Sequence, residues 1–251
     1  MVARRSGRAR PNVISRSRAV VAAGGVLELV ECSPPLTLRR VRSEQPDTCA
    51  LCLVGTAAGP LAGDDLELSL QLRAGARASL VAAGASIAQG RDGQAPARLR
   101  MRAQLNAGAR LRAEPGALIV CEGSRVDVHI ELALAAAAAV DWRELVVLGR
   151  ADGRPGAATL RWDVTVDGRP LLRQYLDLTD AELRAWPGML GQARVLASAL
   201  ICGPDVKART IVAGPTAVAQ RLDDQSVLVT VLGHDAAQVS AELTALCTDF
   251  A

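Results

Sequence analysis

The chain has 251 residues, half of them apolar, and its 29 Lys and Arg against 26 Asp and Glu give a formal charge of +3. A chain this long and this apolar can bury a core, which excludes wholesale disorder, and a single domain is the expectation at this length. Only three Trp, one Tyr and one Phe are present, so we expect Leu, Val and Ala to fill the core.

The positive charge is concentrated at the start of the chain. Residues 1–18 contain six Arg and no acidic residue, and the remainder has 23 basic and 26 acidic residues. We therefore predict a basic disordered tail over residues 1–18 and a single folded domain over residues 19–251. A nucleic-acid surface would need clustered basic residues with stacking aromatics, and the folded part offers neither. We predict no nucleic-acid partner.

Neither a membrane segment nor a disulfide framework is indicated. No stretch approaches the roughly 20 uninterrupted apolar residues that a membrane-spanning helix needs. Six Cys in a chain of 251 residues are too few for a disulfide scaffold. The sequence predicts a soluble cytoplasmic protein without a membrane partner.

Four segments in the middle of the chain alternate apolar and polar residues with a period of two, which indicates half-buried strands. These segments are residues 66–72, 99–105, 126–134 and 160–166. The last of them is followed by Asp167-Gly168, a dipeptide typical of hairpin turns.

The same short sequence motif occurs at the end of three of these strands. Residues 72–78 and 105–111 match each other, and residues 134–140 are a degenerate copy in which Ala137 replaces the Gly. A unit that recurs at a nearly fixed period predicts stacked strand–turn–strand layers, a β-helix-like solenoid. The run of Ala over 135–139 would favour a helix by itself, but in register with the repeat it predicts a turn.

The last part of the chain changes character. Residues 179–182 have a capping-box pattern that opens a short helix, which Pro187 stops. We predict a second helix over residues 191–201, a buried strand over 226–232 and an amphipathic closing helix over 235–250.

The predicted class is therefore mainly β with a small α component near the C-terminus. Within the single domain, residues 19–175 are predicted to be β-rich and residues 176–251 mixed α/β.

Few residues fit a catalytic site. The chain has two His, His129 on the polar side of a strand and His234 at a turn, and neither lies in a nucleophile motif. No Walker or dinucleotide fingerprint is present, so we predict that the chain is not an enzyme. Cys49 and Cys52 have redox or metal spacing, but three residues apart on a strand they point to opposite faces. We interpret them as buried structural cysteines.

Three acidic residues stand out by position. Asp64 closes a Gly-rich connection that begins at Gly59-Pro60, Glu114 precedes Pro115-Gly116, and Glu144 begins an apolar strand. Each is ordinarily a turn residue or the partner of an Arg.

A series of motifs in order resembles the urease accessory protein family UreD, also called UreH. The series consists of Pro46-Asp47-Thr48-Cys49, residues 59–64 with Leu66, residues 75–78, Gly84-Ala85-Ser86, Glu114-Pro115, residues 144–150 and residues 167–172. The resemblance extends from about Val20 to the closing helix. The chain departs from the family pattern after Ser86, where Ile87-Ala88-Gln89 stands in place of Lys and an aromatic residue, and around Glu114.

The resemblance implies a β-rich layered fold and assembly with UreF, the GTPase UreG and apo-urease subunits, as a dimer of heteromeric accessory complexes. It also implies that Ni²⁺ passes through the protein to the urease active site, with no permanently bound cofactor. Asp47, Asp64 and Glu144 match acidic family positions and are predicted to line this path. Carboxylates suit transit because clustered His and thiolates would hold Ni²⁺ too tightly.

Two other interpretations stay open at this point. The repeat alone would also permit a β-solenoid protein-binding module without a metal role. A hydrolase with an unrecognised site is the third.

Overall fold

Two β-sheets face each other across one apolar core in the computed structural model, which describes residues 12–151 and 153–250. In chain order the first nine strands are β1 (Ile14–Ala22), β2 (Val26–Glu31), β3 (Leu36–Val41), β4 (Thr48–Gly55), β5 (Asp65–Leu72), β6 (Arg77–Ala82), β7 (Ser86–Ala88), β8 (Ala97–Leu105) and β9 (Arg110–Glu114). The remaining strands are β10 (Ala117–Val120), β11 (Arg125–Leu134), β12 (Ala139–Leu148), β13 (Ala157–Val166), β14 (Arg169–Asp177), β15 (Val195–Cys202), β16 (Ile211–Val212), β17 (Ala217–Asp223) and β18 (Ser226–Gly233). The helices are α1 (Ala181–Ala185) and α2 (Ala236–Thr248).

The sheets are stacks of parallel strands with antiparallel strands at their ends. The seven-stranded sheet has the order β14-β13-β11-β8-β5-β1-β2, and the main path of the eleven-stranded sheet is β16-β17-β18-β15-β12-β9-β6-β4-β3. Strands β5, β8, β11 and β13 pair in parallel in the first sheet, as do β4, β6, β9 and β12 in the second. The chain alternates between the sheets, which confirms the predicted solenoid-like stack of strand–turn–strand units.

The repeated motif forms the turn at one end of each layer. Gly75 and Gly108 adopt left-handed backbone with φ of 67° and 69°, and Ala137 takes the same conformation with φ 57°. The turns also bond to one another, because the Gly75 N–H donates to the Ala107 carbonyl at 2.9 Å. The Ala run is therefore a turn between β11 and β12, as its register predicts.

The alternating strands bury their apolar side chains between the two sheets. Leu66, Leu68, Leu70 and Leu72 of β5 are at most 1 % exposed, and Trp142 of β12 and Trp162 of β13 are the largest fully buried side chains. Many outward-facing residues of the seven-stranded sheet are charged, and these form a ladder of ion pairs. Neither α-helix among the described residues is long and apolar enough to cross a membrane.

The helix predicted over residues 191–201 is wrong, because this segment holds strand β15. All eight residues of β15 are buried. One face lies against the inter-sheet core, and the other is covered by α2 through Val239, Leu243 and Leu246. A strand buried on both faces has no polar alternation, so its sequence resembles that of a buried helix.

The remaining C-terminal predictions are confirmed with small shifts. Strand β18 matches the strand predicted over residues 226–232 and is one residue longer. Helix α2 lies within the closing helix predicted over residues 235–250. Helix α1 is capped by Asp180, whose carboxylate accepts the N–H groups of Glu182 and Leu183, rather than by Thr179.

The predicted disordered tail is too long at its C-terminal end. Residues 1–11 lie outside the described residues, but Ile14 to Arg18 belong to β1, which pairs in parallel with β5. Ser15 and Ser17 point inward and donate hydrogen bonds to backbone carbonyls. Because these bonds satisfy the buried hydroxyls, a polar segment can form a strand that packs against the core.

Candidate functional site

The three acidic residues predicted to line a metal path lie apart. Asp47 is exposed immediately before β4, and Asp64 is buried before β5. Strand β4 runs parallel to β6, which follows the turn at the end of β5, so these two residues lie at opposite ends of the stack. Glu144 lies in the middle of β12. Within residues 12–151 and 153–250, no three or more His, Cys, Asp or Glu are grouped to hold a metal ion.

Asp64 has a structural role, because it binds two backbone N–H groups. It is 2 % exposed, and its two carboxylate oxygens accept the backbone N–H groups of Val13 at 2.9 Å and Leu61 at 3.0 Å. These bonds hold the strand that enters the stack against the connection between β4 and β5.

The eleven-stranded sheet is interrupted beside Glu144. Strand β9 pairs with β12 as far as Trp142, and β10 resumes the pairing at Leu145. Between them the chain passes through Pro115 and Gly116. One layer further out, β6 ends and β7 begins after residues 83–85, and β7 pairs with β10. We call these two adjacent interruptions, residues 83–85 and 115–116, the seam.

The seam depends on a glycine. Gly116 has a φ of 89°, and a Cβ at this position would lie 2.7 Å from the Ala82 Cβ and 2.9 Å from the Gly84 carbonyl oxygen. Only a residue without a side chain lets the two interruptions approach this closely.

A cavity of about 220 Å³ opens at the seam. Its polar lining comes from three elements: Glu114 at the end of β9, Arg143 and Glu144 on β12, and Ser240 and Thr244 on α2. Apolar residues such as Val81 and Leu243 complete the wall. The cavity therefore lies between the outer surface of the sheet and the inter-sheet core.

Glu144 is the carboxyl group on the inner side of this cavity. It is 9 % exposed, shares the inward phase of Trp142 and Val146, and its Oε2 accepts the Trp162 indole N–H at 2.8 Å. Burial raises the pKa of Glu144 to about 7, and the hydrogen bond from Trp162 opposes that shift. Near neutral pH the group can therefore take up or lose a proton.

Arg143 covers the outer side of the cavity. Its guanidinium donates two bonds to the Asp141 carboxylate at 3.0 and 2.9 Å and one to the Thr244 hydroxyl at 3.1 Å, and it lies 3.4 Å from Glu114. Burial is the largest single influence on the pKa of Arg143 and lowers it, but the hydrogen bonds to Asp141 together with the negative charges of Asp141 and Glu114 raise the pKa overall. Arg143 thus stays charged and ties β12 to β9 and α2.

In the part of the chain that the structure describes, the His and Cys residues are not grouped into a second site. His129 lies on the outer face, with Nε2 2.7 Å from Asp163 and Nδ1 3.1 Å from Glu131, as part of the charged ladder. Cys49 is fully buried while Cys52 faces the other side of β4, which confirms that they do not converge. His234 is exposed before α2.

Sequence analysis did not find the seam or the bond between Glu144 and Trp162. The available signal was the phase of Glu144, which occupies an inward position of β12 among apolar neighbours. A carboxylate in the apolar phase of a strand marks a buried charge that needs a reason. Pro115-Gly116 gave the other signal, since both residues interrupt pairing.

Comparison with known proteins gives one family. The family model of the UreD urease accessory protein matches residues 14–249. The chain is 38 % identical over 206 residues to "Urease accessory protein UreD 1" of Streptomyces griseus, covering 80 % of this chain and 76 % of that protein. It is 33 % identical over 220 residues to the UreD protein of Streptomyces avermitilis, covering 85 % and 86 %. The chain therefore belongs to the UreD family of urease accessory proteins and has a role in urease maturation.

Proposed function

We propose that this chain is a cytoplasmic, non-catalytic scaffold that joins UreF, the GTPase UreG and apo-urease and conducts Ni²⁺ toward the urease active site. The observation that carries the proposal is Glu144, a buried carboxyl group reached through the seam in a chain of the UreD family. Ni²⁺ is cargo here and is not a resident cofactor.

The chemistry of the site supports transit rather than storage. Imidazole and thiolate groups bind Ni²⁺ strongly, whereas isolated carboxylates bind it weakly enough to release it. The two His of this chain are not neighbours, and burial raises the pKa values of Cys49, Cys202 and Cys247, which keeps these thiols protonated. The other Cys and the two His are single side chains, and the described residues contain no group of three or more His, Cys, Asp or Glu that would hold Ni²⁺ firmly.

The three predicted acids contribute unequally to the proposed path. Asp47 is exposed at the end that carries the Gly75 turn, and Glu144 lies within the stack. Both can offer an oxygen to an ion. Asp64 would have to release two backbone N–H groups first, so its contribution to the path would be indirect, through the position of β1.

A second candidate function is a protein-binding module without a metal role. A groove of about 580 Å³ on the outer face of the eleven-stranded sheet favours it. The groove is lined by apolar residues such as Val41 and Phe250 and by charged residues of both signs, including Arg110 and Asp205, and a surface that mixes apolar and polar groups is typical of protein interfaces. Both functions use the groove if it holds a partner of the accessory complex.

Co-purification and deletion test the scaffold. The tagged chain is co-expressed with UreF, UreG and urease subunits, and a second strain lacks the chain. We expect a complex of all components, with a mass that fits a dimer of heteromeric complexes, and active urease only when the chain is present. Full urease activity without the chain would contradict the proposal. A complex that forms while urease nickel content stays independent of the chain would favour the binding module.

A further inference from the structure

We infer that the groove on the outer face of the eleven-stranded sheet is the docking site of an acidic amphipathic helix from a partner protein, which lies there beside α2 as a second helix on the same sheet. The inference deepens the proposed function, because the groove is then the place where a component of the accessory complex joins the chain. Only the assignment of the helix to UreF, UreG or urease rests on the proposed function.

Helix α2 covers one half of this outer face and leaves the other half bare. Val239, Leu243 and Leu246 of α2 pack on the outward residues of β15, β17 and β18 in one buried apolar cluster. Strands β3, β4, β6 and β9 carry no helix in the part of the chain that the structure describes. Phe250, which follows α2, lines the groove, so the groove begins where the helical layer ends.

The floor of the groove consists of small and apolar side chains. Val41, Ala50 and Ser79 lie side by side in the register of β3, β4 and β6, and Val81 is the next outward residue of β6. Val41 and Val81 are 41 % and 46 % exposed, and both line the groove. The small residues let a partner approach closely, and the two exposed valines offer apolar area whose burial stabilises a complex.

A helix fits this face better than an extended peptide does. The backbone N–H and C=O groups of the floor strands are paired with those of their neighbours. An extended segment on the floor would therefore bury its own backbone groups without partners, whereas a helix satisfies them internally. Four strands about 4.8 Å apart form a surface roughly 15–20 Å wide, which accepts a helix of about three turns.

The charges at the groove select the sign of the partner. Some of them compensate one another, and Arg110, for example, contacts Asp205 at 2.7 Å. Three arginines and one glutamate have no ion-pair partner among the described residues. These are Arg42, Arg77 and Glu44 in the groove and Arg39 in the outward phase of β3 beside it. The excess of uncompensated positive charge predicts carboxylates on the polar sides of the docked helix.

The same charge decides between a partner and the N-terminal segment of this chain. Residues 1–11 contain four Arg and no acidic residue, so their charge has the same sign as the excess in the groove. Like charges repel, and such a segment is disfavoured there. A second copy of the chain would show itself as a cross-link between two identical chains.

Site-specific photo-cross-linking tests the docking. Benzoylphenylalanine replaces Val41 in the full-length chain, and in a control chain it replaces Val30, which is 45 % exposed on edge strand β2 of the other sheet. Each chain is expressed with UreF, UreG and urease and irradiated, and the linked peptides are identified by mass spectrometry. We expect position 41 to link to an acidic helical segment of one of these proteins, and position 30 to give at most a minor amount of that product.

Charge variants of exposed groove residues test the sign. For the component that cross-links, affinity is measured by biolayer interferometry at low and high salt. Arg77→Glu should weaken binding about tenfold, whereas Arg77→Lys should retain it. Glu44→Lys should strengthen binding several-fold, a gain that a misfolded chain cannot give. These effects should shrink at high salt, and effects of R77E and E44K that have the same sign would overturn the acidic helix.

The outcomes separate this inference from the proposed function. If the complex with UreF, UreG and urease forms but position 41 links to none of them, or links to a second copy of this chain, the docking site is wrong and the proposed function stands. If no complex forms, the proposed function fails. The docking site then stands only if position 41 links to an acidic helix of another cellular protein with the same charge dependence, and it fails otherwise.

Discussion

The two sheets are built from one repeat but differ in continuity. Parallel strands β5, β8, β11 and β13 of the seven-stranded sheet pair without interruption over eight to ten residues. In the eleven-stranded sheet, each of two neighbouring layers is divided into two short strands. The continuous sheet buries leucines inward and displays ion pairs outward. The interrupted sheet contains the seam, with Glu144 behind it, so the candidate site lies in the sheet whose strand pairing is broken.

The outer faces of the two sheets also differ. On the continuous sheet, Glu67 contacts Arg100 at 3.1 Å and Glu131 contacts Arg102 at 2.8 Å, and the face is an exposed ladder. Exposed pairs of this kind contribute roughly 0–1 kcal/mol each. On the interrupted sheet, α2 covers β15 and β18 and places Thr244 against Arg143. Helix α2 thus forms an additional layer on the interrupted sheet, and the continuous sheet has no such layer among the described residues.

The largest expected effect comes from the core of the continuous sheet. Leu68→Ala removes a fully buried side chain and leaves a cavity, so the free energy of unfolding should fall by about 2–5 kcal/mol. Urea denaturation measures it. The neighbouring Ser69→Ala, on the outer face, is the control and should change stability by less than about 0.5 kcal/mol. Equal effects would refute the assignment of inner and outer faces.

The next effect concerns the interrupted sheet and depends on pH. Because the pKa of Glu144 is raised from 4.5 to about 7 in the folded state, the unfolded chain loses this proton first as pH rises. The resulting destabilisation is absent below pH 4.5, grows between pH 4.5 and 7, and reaches about 3 kcal/mol above pH 7. Glu144→Gln should therefore stabilise the protein at pH 8 and not at pH 4.5, in denaturant melts at both values. A difference from wild type that does not vary with pH would contradict the raised pKa.

Asp64→Ala tests whether the entry of β1 into the stack depends on this carboxylate. The change leaves the N–H groups of Val13 and Leu61 without their acceptor, so the free energy of unfolding should fall by about 2 kcal/mol. Hydrogen exchange of the Val13 and Leu61 amides should accelerate in parallel. The exposed Glu44→Ala is the matched control, and a loss no greater than that of the control would remove Asp64 from this structural role.

The smallest expected effect concerns the turns. Ala137 has a positive φ that costs a non-glycine residue roughly 1–2 kcal/mol, so Ala137→Gly should stabilise the protein by about 0.5–1 kcal/mol after the entropy of glycine is counted. The reverse change, Gly108→Ala, should destabilise it by a similar amount. Thermal melts of the two variants should shift in opposite directions, and shifts of the same sign would contradict the equivalence of the turns.

The continuous sheet could be predicted from the sequence because its strands face the core on one side and solvent on the other. This geometry produces the alternation of apolar and polar residues in 66–72 and 126–134, and the repeated motif identifies the turns. The motif also shows that the Ala run is a turn and not a helix, because Ala137 occupies the position that Gly75 and Gly108 hold in the other layers.

The interrupted sheet could not be predicted in the same way. Strand β15 is buried on both faces, so the periodic signal is missing and residues 191–201 suggested a helix. The seam results from the alignment of two breaks that lie about 30 residues apart in the chain, and only the stacking of layers brings them together. Glu144 could be selected as an acidic residue, but its burial and its bond to Trp162 depend on that stacking.

One measurement tests most directly whether Glu144 at the seam takes part in nickel delivery to urease. Urease is purified from cells that carry the wild-type chain, E144Q or E182Q at equal levels of the accessory complex and at limiting nickel, and its nickel content per active site is measured by mass spectrometry. Glu182 is an exposed carboxylate on α1, outside the groove and the seam. We predict that E144Q lowers the nickel content to less than half of the wild-type value while E182Q leaves it unchanged. Equal nickel content in all three strains would contradict a role for Glu144 in nickel delivery.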